Sequence, residues 1–61
     1  MQSVEFLFAR KDGTWYTNVV DVPDTVMPIE FEEWALGNLM VLDKYDDTVY
    51  VGVYNEDVEQ D

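Results

Sequence analysis

Residues 8–24 read FARKDGTWYTNVVDVPD, and the centre of that stretch decides the fold. Lys11-Asp12-Gly13-Thr14 is a turn, because an Asp-Gly step between two strand-forming runs supplies the positive φ that a tight hairpin needs. After it, Trp15 to Val22 is dense in aromatic and β-branched side chains, which suit the pleated, half-buried surface of a strand. Alternation places Tyr16, Val20 and Val22 on one face and Trp15, Thr17 and Val19 on the other. Pro23 stops the run, since proline has no N–H to give to a ladder. Before the turn, Val4 to Arg10 alternates in the same way, with Val4, Phe6 and Phe8 opposed to Glu5, Leu7 and Ala9. The stretch is a β-hairpin by these signals.

Beyond the hairpin, Asp24 to Met27 is a connection and Pro28 suits the first turn of a helix, where its missing N–H is not needed. Phe31, Trp34, Ala35, Leu39 and Leu42 recur at helical spacing and form an amphipathic stripe. Glu30, Glu32 and Glu33 fall in the first turns, where the helix dipole favours negative charge. The preferred reading is a helix that runs on to Leu42. Gly37-Asn38 offers the alternative of a helix ending early at a glycine cap, with Leu39 to Leu42 as a short strand paired through a turn at Asp43 to Asp47. Thr48 to Tyr54 is the last strand, with Val49, Val51 and Val53 on one face and Tyr50, Gly52 and Tyr54 on the other.

The predicted architecture is α+β, a three-stranded antiparallel sheet with one helix on one face (ββαβ), in a single domain over residues 1–54. Residues 55–61 read as an acidic, mobile C-terminal tail. The strand-one phenylalanines, the strand-three valines and the helix stripe make the core. The other sheet face has no chain left to cover it. It carries Leu7, Ala9, Tyr50 and Tyr54, with Trp15 and Val19 or Tyr16 and Val20 according to register. An apolar, aromatic face of this kind marks an interaction site, either a homodimer seam or a partner pocket. A dimer would add core to a chain of 61 residues, which buries little by itself.

Catalysis calls for a positioned base or nucleophile, and the chain offers little: no histidine, no cysteine and one serine, Ser3. Glu32–Glu33 and Asp46–Asp47 are sequence neighbours, and neighbours on a helix do not face one another. Asp43, Asp46 and Asp47 do not match the spaced ligands of a calcium loop, and no glycine-rich phosphate loop is present. The expectation is a binding protein, not an enzyme, without cofactor or metal. No apolar run reaches the ~20 residues that span a bilayer, and Met1 leads directly into a strand pattern and not into a signal peptide. The expected location is the cytoplasm, the host's if the chain is phage-encoded.

Charge is the outstanding feature. Fourteen Asp and Glu oppose three Lys and Arg, for a net charge of −11. Self-repulsion at that density costs stability, which points to a use. Direct nucleic-acid binding is disfavoured, because phosphate affinity comes from Lys and Arg and only Arg10, Lys11 and Lys44 are available. DNA presents one negative charge per ~1.7 Å of axis. Glu30, Glu32, Glu33, Asp43, Asp46, Asp47, Glu56, Asp57 and Glu59 are candidates for an anionic track that enters the basic groove of a nucleic-acid-binding protein or nuclease, with Tyr50, Tyr54 or Trp34 as anchor.

In element order, size, acidity and an aromatic second strand after a Lys-Asp-Gly turn, residues 5–54 resemble the small phage inhibitors of uracil-DNA glycosylase. That resemblance implies a DNA-mimicking dimer, built from a three-stranded sheet with helix, that occupies the enzyme's DNA groove. No motif is shared at identical spacing, so no residue role is carried over. Other phage anti-defence inhibitors share the size and acidity. Two further classes stand beside this one. Lys11 to Asp24, ending in Val22-Pro23-Asp24, is similar to a strand of certain small antitoxins that neutralise ribonucleases, without their following Gly and Thr elements. A non-specific acidic accessory protein, as in a halophile or a virion, is the other.

Overall fold

A computed structural model describes residues 1–55. The first strand, β1 (Gln2–Arg10), turns back into β2 (Trp15–Val22). The turn is the three-residue type in which a final residue adopts positive φ, here Gly13 at 90°. Arg10 donates its N–H to the Thr14 carbonyl at 2.9 Å, and Gly13 donates to the Arg10 carbonyl at 3.0 Å. Asp12 braces the turn from inside: its Oδ1 accepts from the Thr14 N–H at 2.9 Å and from the Thr14 hydroxyl at 2.6 Å. Those two bonds favour the charged carboxylate and hold the Asp12 pKa below its ordinary value, the hydroxyl bond contributing most.

From Val22 the chain crosses one face of the sheet before it returns as β3 (Thr48–Asn55) on the far side of β1. The order β2-β1-β3 makes the phenylalanine-bearing strand central, with both neighbours antiparallel to it. The crossing consists of a 3₁₀ turn at Pro28–Glu30, the helix α1 (Phe31–Asn38) and a second 3₁₀ turn at Asp43–Tyr45. Three antiparallel strands with one short helix form an α+β fold, the class expected from the sequence.

An eight-residue helix is shorter than the ~12–15 residues an isolated helix needs, so packing holds α1 in place. Phe31, Ala35 and the capping Leu39 sit one turn apart and are buried against Val4, Phe6, Phe8, Val22 and Val51. Trp34 stacks on Phe6, with ring centroids 6.4 Å apart. Phe6, Phe8, Phe31, Val4 and Val22 are the largest fully buried side chains, each contributing about 1.5–3 kcal/mol by burial.

The helix does not continue to Leu42, and Leu39 to Leu42 form no strand either. Gly37 and Asn38 are weak helix formers, and the Asn38 side-chain amide donates to the Trp34 carbonyl at 2.9 Å. Leu39 and Met40 both donate back to the Ala35 carbonyl, and the chain then turns. Leu42 remains 42% exposed, and the place expected for it is taken by Tyr45, which is 3% exposed and stacks on Phe8 at 4.7 Å. Val49 is a second departure from the expected pattern. The β1–β3 register shifts between Ala9 and Arg10, which leaves Val49 as the extra residue of a bulge and 64% exposed. The last strand also runs one residue further than expected, to Asn55, which pairs with Glu5. Among the described residues no helix is long and apolar enough to cross a membrane.

Candidate partner-binding surface

The register assigns the open face row by row. Trp15, Ala9 and Tyr50 lie side by side across the three strands, followed by Thr17, Leu7 and Gly52, then by Val19, Glu5 and Asn55, and finally by Asp21 and Ser3. Trp15 and Val19 therefore share this face with Leu7 and Tyr50, while Tyr16 and Val20 pack against the core. Ala9 is small enough for the Trp15 and Tyr50 rings to meet edge-on, 6.2 Å apart. The Tyr50 ring also lies along β3 over Gly52, so closely that a Cβ at Gly52 would stand 2.6 Å from the tyrosine hydroxyl. The glycine is what lets the ring lie flat. Tyr54 is the extra residue of the second bulge, beyond Val53, and is 63% exposed.

The rows change character along the strands. The two nearest the hairpin turn carry no charged side chain, and the two beyond them hold Glu5 and Asp21. The whole molecule shows the same polarity. All three Lys and Arg gather at the hairpin end. Arg10 pairs with Asp47 at 3.6 Å and lies 4.1 Å over the Tyr16 ring, Lys11 donates its N–H to the Asp47 carbonyl, and Lys44 lies 5.2 Å from the centre of the Tyr45 ring. Asp12, Asp43, Asp46 and Asp47 share that end, so four carboxylates meet three cations. At the other end stand Glu5, Asp21, Asp24, Glu30, Glu32 and Glu33, with no Lys or Arg among them. The positive group there is the Met1 amine, 3.3 Å from Asp24. The nine residues of β1 separate the two ends by roughly 26–30 Å.

The residues singled out from the sequence thus fall into two groups. Glu30, Glu32 and Glu33 are exposed together at the start of α1, and the Glu30 carboxylate is fixed by accepting the Met27 N–H at 3.1 Å. Asp43, Asp46 and Asp47 belong to the other, mixed-charge end, where Asp47 braces the hairpin through its side chain and its backbone. Tyr50 lies on the apolar rows and Tyr54 beside Asn55, near the acidic end. Glu56, Asp57 and Glu59 lie outside the described residues.

Two exposed side chains at the acidic end escaped the sequence reading. Met27 and Ile29 project from the 3₁₀ turn ahead of α1, at 59% and 93% exposure. The signal was available: Ile29 precedes the stripe Phe31–Ala35–Leu39 by two positions, which turns it away from the core. Among the described residues no group of three or more Asp or Glu is arranged to hold a metal ion. No family model matches this chain, and neither a curated protein nor a solved structure is found similar to it.

Proposed function

We propose that this ββαβ chain is an inhibitor that places its acidic end in the basic nucleic-acid groove of a DNA- or RNA-processing protein. The observation that carries this reading is the segregation of charge: six carboxylates without a Lys or Arg at one end, and all three Lys and Arg at the other. Solubility alone asks for dispersed charge, whereas a concentrated field steers a basic partner and raises its encounter rate. Glu30, Glu32 and Glu33 are its helical part, Glu5 and Asp21 its sheet part. Ile29, Met27 and Tyr54 supply apolar anchors next to them, since charge alone gives rate and orientation more than affinity. The uncharged rows around Trp15, Leu7 and Tyr50 suit a second copy of the chain, which leaves both acidic ends free.

The test is capture followed by competition. The immobilised chain is exposed to a bacterial lysate at low salt, eluted with a salt gradient, and each captured protein is then challenged with duplex DNA or RNA. The expected result is a nucleic-acid-binding protein that holds either its nucleic acid or this chain. Captured proteins that hold both at once contradict groove occupancy.

A further inference from the structure

At the acidic end a pocket of about 210 Å³ is lined by Val26, Glu30, Glu33 and Trp34. Its apolar parts are the Val26 side chain and the half-buried indole, which rests against Phe6. Its polar parts are two carboxylates. Glu30 is oriented through its Oε1 by the Met27 N–H, while the Glu33 carboxylate makes no hydrogen bond or ion pair with any described residue. None of the chain's own cationic side chains serves it. Arg10, Lys11 and Lys44 are all at the hairpin end, and the Met1 amine is on Asp24.

We infer that this pocket is a receptor for one arginine side chain of a partner. An apolar wall suits the methylene stem of such a side chain. An indole attracts a cation, and a guanidinium also stacks on it. Two carboxylates in its lining offer acceptors to the planar fork of a guanidinium, which a point-charge ammonium does not exploit. That the arginine belongs to a nucleic-acid groove rests on the function proposed above; the affinity of the pocket for a guanidinium does not.

The test uses N-acetyl-argininamide, N-acetyl-lysinamide and the neutral isostere N-acetyl-citrullinamide as probes at matched ionic strength. The indole N–H and backbone amide signals of the ¹⁵N-labelled protein are followed by NMR. Argininamide should bind with a dissociation constant on the order of millimolar, as befits a small ligand, and should shift the Trp34 indole and the Glu33 amide but not the Trp15 indole. Glu33→Gln, with the rest of its spectrum unchanged, should weaken that binding by about tenfold, the loss expected for one charge-assisted hydrogen bond. Equal shifts with citrullinamide, equal affinity for lysinamide, or no saturation at Trp34 would each overturn the inference. Groove blockade can fail while Trp34 still saturates with argininamide, so the two proposals fail separately.

Discussion

The two ends of the sheet spend their polar residues differently. At the hairpin end two of the four carboxylates and two of the three cationic side chains are tied to the fold: Asp12 to Thr14, Asp47 to Arg10, and Arg10 and Lys44 to aromatic rings. At the opposite end Asp21, Asp24 and Glu30 accept from the Ser3 hydroxyl, the Met1 amine and the Met27 N–H, while the exposed Glu32 and Glu33 carboxylates make no hydrogen bond or ion pair with a described residue. A carboxylate that stabilises its own fold is not free to meet a partner, and one that repels its neighbours is retained at a cost. The comparison teaches that composition alone misleads here. The net charge of −11 belongs to the whole chain; among the described residues its unneutralised part is concentrated at one end.

The contrast can be broken first through the core that anchors the hairpin end. Phe8 packs between Tyr16 at 5.1 Å and Tyr45 at 4.7 Å. Phe8→Ala should cost about 3–5 kcal/mol, comparable to the whole stability of a small domain, and thermal or urea unfolding should find the variant largely unfolded. A next, smaller effect concerns the uncharged rows. Trp15 is 59% exposed, so Trp15→Ser should change stability by less than about 1 kcal/mol. If a second copy pairs through these rows, as proposed, sedimentation equilibrium should find the parent dimeric and Trp15→Ser shifted towards monomer. A variant as dimeric as the parent would remove the aromatic rows as the seam.

A smaller effect still concerns pH. The folded-state pKa of Asp12 lies below its unfolded value, so its contribution is fully present above the ordinary aspartate range. It is lost as pH falls through the depressed folded value. Asp12→Asn should therefore flatten the acid limb of the stability–pH curve. An unchanged acid limb in Asp12→Asn would mean that the Thr14 bonds do not stabilise the turn in solution.

Much of the fold was legible in the chain because its strongest signals are local. Asp12-Gly13 fixed the turn, alternation fixed which residues of β1 and β2 share a face, and Pro23 marked the end of β2 at Val22, whereas the β2 face that looks inward waited on the register. The legible part stopped where one short element had to be weighed against another. The stripe from Phe31 to Leu42 is continuous in sequence, but the Asn38 side chain competes for a helical carbonyl and Tyr45 fills the site by Phe8 more completely than Leu42. Bulges are equally silent, because an extra residue such as Val49 looks like any other member of an alternating run. Of the candidate surface, the residue types were readable and their grouping was not. Asp43, Asp46 and Asp47 are as acidic as Glu30, Glu32 and Glu33, and only the return of β3 beside the hairpin places the first set among the cations.

That grouping is tested most directly by comparing two neutralised variants against the captured groove protein over about 50 to 200 mM salt, the range in which phosphate-like contacts weaken steeply. Glu30→Gln/Glu32→Gln/Glu33→Gln removes three charges from the acidic end, and Asp43→Asn/Asp46→Asn removes two from the mixed end. A much shallower dependence of log affinity on log salt is expected for the first variant and a slope close to the parent's for the second. Equal slopes in all three proteins, or a loss confined to the Asp43/Asp46 variant, would contradict that grouping.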